Sequence, residues 1–124
     1  MARFVSVARQ NIASGSTSPT AIVSGTSNSS GVPGGNYGVL LGIIASNTSA
    51  NAQNVTIELV KSGATPTGSI ITSGTVPNQS SLEIMTGNKI IVESEDVIRA
   101  YAGNTDVIDV VVSYMLNPQD NTIV

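Results

Sequence analysis

Three acids, Glu93, Glu95 and Asp96, form the tightest carboxylate group in the chain. Carboxylates this close can hold a hard cation such as calcium, which takes several oxygen ligands. No spaced run of Asp, Asn and Gly of the kind that builds a dedicated calcium loop surrounds them, so the group reads as a solvated turn between two strands. Asp106 and Asp109 could be a general acid and base for glycoside cleavage. They stand three positions apart on an expected strand, so their side chains point to opposite faces and cannot flank one bond. There is no His and no Cys. That removes the imidazole base, the thiolate nucleophile and the usual zinc ligands. A serine nucleophile still needs a base, and no Ser-x-x-Lys occurs. Gly31, Gly34, Gly35 and Gly38 are not followed by Lys-Ser/Thr and open no helix, so they make no phosphate cradle. Neither enzymatic chemistry nor a cofactor or metal is expected.

Residues suited to binding are few. Tyr37, Tyr101 and Tyr114 are the three tyrosines; together they could line a sugar platform, or they could be core and rim residues whose hydroxyls reach water. Arg99 shares a strand face with Val97 and Tyr101. It can form a salt bridge with a neighbouring acid or, since Arg is enriched at interfaces, meet another subunit. Asn28, Asn47, Asn54 and Asn78 each begin an Asn-x-Ser/Thr triplet, an accident of composition in a chain without a secretion signal. The expected subunit contacts are Tyr37, Arg99, Tyr101, Val111 and Met115.

Composition explains why chemistry is scarce. Of 124 residues, 10% are charged, against roughly 25% in an average soluble domain. In their place stand 17 Ser, 12 Thr, 11 Asn and 4 Gln. The five bases, Arg3, Arg9, Lys61, Lys89 and Arg99, are scattered, aromatics are 3% and the net charge is -3. Such a surface neither displaces phosphate counterions nor stacks bases, so nucleic acid is not an expected partner. No stretch approaches the ~20 apolar residues that span a bilayer, and Met1 to Gln10 has no apolar run of signal-peptide length. The expectation is a protein made in the cytoplasm, without a membrane partner.

The elements that must position these residues are strands. No long window shows the helical period, whereas short β-branched runs recur near Phe4 to Ala8, Thr20 to Ser24, Tyr37 to Ala45, Gln53 to Lys61, Ser69 to Ser73, Ser81 to Thr86, Lys89 to Glu93, Val97 to Tyr101 and Val107 to Leu116. Turn residues join them without room for parallel crossovers, which predicts an all-β antiparallel sandwich, jelly-roll or immunoglobulin-like. In the last strand Ile108, Val110, Val112, Tyr114 and Leu116 face the core. The other face, with Val107, Val111 and Met115, is half apolar, as in a central strand covered on both sides. In Gln53 to Lys61, Val55, Ile57 and Leu59 point inward while Asn54, Thr56 and Glu58 meet solvent. YGVLLGIIA, Tyr37 to Ala45, belongs in mid-sheet. Thr86-Gly87-Asn88-Lys89 predicts a hairpin pairing Leu82 to Met85 with Ile90 to Val92. Ser14 to Pro19 and Gly25 to Asn36 read as loose loops or arms within 14–36 of a single domain, 1–124. Asn117 to Val124 reads as a tail behind Pro118.

VPNQSSLEIMTGNKIIVESEDVIRAYAGNTDVIDVVVSYML, Val76 to Leu116, resembles small structural proteins of tailed bacteriophages. In both, a Pro-led polar turn precedes Ser-Leu-Glu, a Gly hairpin, a strand, an acidic turn closed by Asp, and a Val-rich strand ending in Ser-Tyr. The match covers about a third of the chain and carries no binding residue. The resemblance implies a β-sandwich virion accessory protein: decoration, neck or tail.

An aliphatic core with one Phe and no Trp, at roughly 1.5 to 3 kcal/mol per buried side chain, makes a thin sandwich that gains from partner subunits. A surface poor in charge also suits close packing. The expected function is non-enzymatic: a bacteriophage virion structural protein, capsid decoration or cement or a neck or tail component. Its expected partners are copies of itself, as a trimer or larger homo-oligomer, and the major capsid protein or other virion proteins. The alternative is a receptor- or carbohydrate-binding module of a fibre or tail.

Overall fold

The computed structural model describes residues 3–25, 30–61, 69–83 and 90–118. They form nine strands: β1 (Arg3–Arg9), β2 (Thr20–Val23), β3 (Asn36–Asn47), β4 (Gln53–Val60), β5 (Ser69–Val76), β6 (Ser81–Glu83), β7 (Ile91–Glu93), β8 (Val97–Ala102) and β9 (Ile108–Pro118). Every pairing between strands is antiparallel. One sheet, A, runs β1-β9-β3 with β6 and β7 on the far edge of β3, and the other, B, runs β2-β8-β4-β5. Successive strands alternate between the two layers except at β4–β5, both in sheet B, and β6–β7, both in sheet A. With β6 and β7 counted as one broken edge strand, this is the order of an eight-strand jelly roll, one of the two sandwiches expected.

The alternation expected in the last strand holds. Ile108, Val110, Val112, Tyr114 and Leu116 are all buried, and β9 lies between β1 and β3. β3 lies in mid-sheet as its apolar run requires, with β9 on one side and β6 and β7 on the other. Gly38 leaves room there: a Cβ would stand 3.2 Å from Cδ2 of Tyr114 and 3.4 Å from Cγ2 of Val32, a tight fit. Leu41 is the extra residue of a bulge where Leu40 faces Tyr114 and Gly42 faces Ser113. Val55, Ile57, Ile98 and Ala100 of sheet B complete the core against sheet A.

Several expectations are corrected. The second face of β4 meets solvent at Asn54 as expected, but Thr56 and Glu58 are each only 8% exposed. β4 is an interior strand, and side chains of β5 and β8 close over that face. The expected hairpin is absent among the described residues. Leu82 faces Ala45 while Ile91 and Val92 face Val39 and Gly38, so β6 and β7 both run antiparallel to β3 and therefore in the same direction. The Thr86-Gly87-Asn88-Lys89 turn itself lies outside the described residues.

The described parts of the segments read as loose arms are bonded into the sandwich; 26–29 lie outside the described residues. Val32 is fully buried, the Tyr114 hydroxyl donates to the Gly31 carbonyl at 3.2 Å, and the Ser24 N–H donates to the Ser30 carbonyl at 2.6 Å. Ser14 bridges Ala102, and the Gly15 N–H donates to the Ala102 carbonyl at 3.1 Å. β9 continues through Asn117 and Pro118, which pair with Tyr37 and Asn36, so the described start of the tail is strand.

Candidate functional site

The outer face of sheet A is built by register. On it Phe4 faces Met115, Met115 faces Val39, and Val39 faces Ile91, which makes one apolar row across four strands. Two residues along, Ser6, Ser113 and Gly42 form a row of small residues, and beyond it Ala8, Val111, Ile44 and Glu83 form another. Phe4 is 75% exposed, Ile91 48%, Ile44 45%, and Leu41 and Val111 36% each. Tyr37, half-buried beside Glu93 and Asn117, extends the first row. Glu83, Glu93 and Asp109 stand at the margin, and none lies within the first row. A contiguous apolar surface on a sheet is the usual mark of an interaction site.

Sheet B presents the opposite chemistry. Arg99 Nε meets Glu58 Oε1 at 2.7 Å, with both side chains mostly covered. Thr56 Oγ1 and Ser73 Oγ lie 3.1 Å apart, and Thr75 Oγ1 donates to Asn54 Oδ1 at 2.7 Å. Tyr101 faces Thr56 across the β4–β8 pair. The five expected contact residues therefore divide: Tyr37, Val111 and Met115 share the outer face of sheet A, while Arg99 and Tyr101 belong to sheet B. Arg99 makes an intrachain salt bridge, one of the two roles expected of it. The three tyrosines cannot form one platform, since Tyr114 is buried in the core and Tyr37 and Tyr101 lie on opposite sheets.

The acidic turn holds a residue that sequence reasoning misplaced. Asp96 is wholly buried. Its Oδ2 accepts from the Glu93 N–H at 2.8 Å and from Lys61 Nζ at 2.6 Å. Only Glu93 and Glu95 are solvated, and Glu95 takes a φ of 69° to close the turn. The Asp96 hydrogen bond raises the Lys61 ammonium above its usual 10.5, opposed by burial and helped by the charges of Asp96 and Glu93. Burial raises Tyr114 above 10.0, opposed by the charge of Arg3. Among the described residues no three acids are grouped to hold a metal ion.

Asn47, read as a chance glycosylation triplet, is a structural hub. Its Nδ2 donates to the carbonyls of Asn51 at 2.7 Å and Val76 at 3.0 Å, and its Oδ1 accepts from the Ser49 N–H at 2.9 Å and hydroxyl at 2.8 Å. The only signal available in sequence was an Asn at the end of an apolar run.

No family model matches the chain, and no curated protein matches it. Among solved structures, one described as Bacillus endospore appendages that form a family of disulfide-linked pili superposes with a TM-score of 0.55 at 15% identity, covering 97% of this chain and 88% of that one. Clostridium thermocellum endo-1,4-β-D-xylanase 10B, its CBM22-1–GH10 modules complexed with xylohexaose, gives 0.42 at 10% identity over 73% of this chain and 18% of that one. Eiger TNF from S. frugiperda gives 0.42 at 8% identity, covering 98% and 96%. The first of these shows a shared fold; the other two scores are too low to carry an argument.

Proposed function

We propose that the chain is a non-enzymatic structural protein that works by self-association, laying the apolar outer face of sheet A against a second copy of itself. The observation that carries this is the row Phe4, Met115, Val39 and Ile91, open to water on a sheet whose other face is already packed. Each large side chain there adds up to roughly 1.5 to 3 kcal/mol on full burial, which a monomer leaves unused. The likeness in fold to a pilus subunit agrees with an assembling role. This chain has no cysteine, so its copies cannot be joined by disulfides as those pili are. The assembly is a homo-oligomer, trimeric or larger, and its place is the virion of a tailed bacteriophage, as capsid decoration or cement or as a neck or tail component. The virion placement rests on the sequence resemblance of Val76 to Leu116, and synthesis in the host cytoplasm goes with it.

Mass in solution tests the self-association. A multiple of 12.6 kDa is expected for the native chain, with collapse to monomer in an Ile44→Lys, Val111→Glu double variant. A native chain that stays monomeric at high concentration overturns the reading. Co-sedimentation with capsids or tails separately tests the virion placement.

A further inference from the structure

The outer side of sheet B carries an open cleft of about 450 Å³, within the roughly 300–1,000 Å³ of small-molecule sites. Its side chains come from Asn54, Thr56, Ser73, Thr75 and Tyr101, and glycine and alanine positions such as Gly103 make up the rest. No charged side chain is among them. The polar groups are pinned in two rungs, Thr56 to Ser73 and Thr75 to Asn54, across β4 and β5. Asn54 uses its oxygen inside its rung, and its amide N–H groups and the Tyr101 hydroxyl have no hydrogen-bond partner among the described residues.

We propose that this cleft binds a neutral saccharide, held by hydrogen bonds to the Asn54 amide, the Thr56, Ser73 and Thr75 hydroxyls and Tyr101. A charged ligand would find no counter-ion here, and an apolar one would strip water from five polar side chains and return nothing. Sugar hydroxyls both donate and accept, as the Ser and Thr hydroxyls do, and a pyranose C–H face suits an aromatic ring that ends in a hydroxyl. The rungs already fix their side chains, so little ordering is left for binding to impose. The site lies on the opposite sheet from the proposed subunit contact, so assembly leaves it open and its failure is independent of oligomer mass.

The test uses the intact chain on an array of neutral, sialylated and sulfated glycans. Amide shifts are also followed by NMR in titrations with methyl glucoside, galactoside and mannoside. Neutral hits are expected, with shifts clustered at Asn54, Thr56, Thr75, Tyr101 and Gly103. Losing one hydrogen bond weakens binding about 3- to 10-fold, the result expected for Asn54→Ala and Tyr101→Phe, and Tyr101→Ala should weaken it further. Thermal melts confirm that each variant folds. If Tyr101→Ala does not fold, the other two variants decide. Shifts with free glycosides but no array hits would indicate a free sugar, and both together a displayed glycan. The proposal falls if neither assay detects a neutral sugar, if only acidic glycans bind, or if binding is unchanged in Asn54→Ala and Tyr101→Phe.

Discussion

Asn47 shows how much a single buried carboxamide can organise. It closes the chain between β3 and β4 and also reaches the end of β5. Replacing it by Ala strands the Val76 carbonyl in a buried position, and at roughly 1 to 3 kcal/mol for each unsatisfied buried group Asn47→Ala should lower unfolding free energy by about 2 to 3 kcal/mol in urea titrations. Two other residues contribute to stability at alkaline pH. Lys61 and Tyr114 both have folded pKa values raised above their ordinary 10.5 and 10.0. Each therefore binds its proton more tightly when folded. Their contribution is complete below about pH 10 and is lost as pH rises through the folded values. Denaturant midpoints should stay level on this account up to about pH 10 and fall above it. Tyr114→Phe should make that fall shallower, Lys61 alone remaining, while losing stability at neutral pH because the Gly31 carbonyl loses its donor.

At the scale of elements, what reads as an arm is partly a plug. Val32 enters the core beside Gly38 and Tyr114, and Tyr114 reaches back to Gly31. Were the segment exposed, trimming Val32 would change stability by no more than about 0.5 kcal/mol. Buried, Val32→Ala should cost about 1 to 3 kcal/mol through lost methyl burial and the cavity left behind, which calorimetry separates easily. β6 and β7 make the complementary point. A Gly-Asn pair between two short apolar runs is a sound hairpin signal when the runs have only each other to pair with. Here β3 is long enough to accept both along one edge. Local turn chemistry was outweighed by a partner distant in sequence.

For the whole molecule, the two sheets divide the work: sheet A turns an apolar face outward and sheet B a neutral polar one. If sheet A is the contact, the Ile44→Lys, Val111→Glu variant should keep the native chain's circular dichroism while sedimenting as a monomer. Both side chains are already partly exposed, so charge there costs little in the isolated subunit. A variant that unfolds instead would mark the face as structural.

Sequence alone determined the all-β class, the strand positions and the inward face of β9, because period-two alternation is a local property and the core only has to accept it. It also excluded imidazole and thiol chemistry outright, since His and Cys are absent. Only the tertiary structure decided which outward residues share a face. Met115 joins Phe4 and Ile91, Tyr101 parts from Tyr37, and Asp96 leaves the solvated turn for Lys61. The reason is register: strand order in a jelly roll pairs segments far apart in the chain, and nothing in a strand's own pattern names its neighbour.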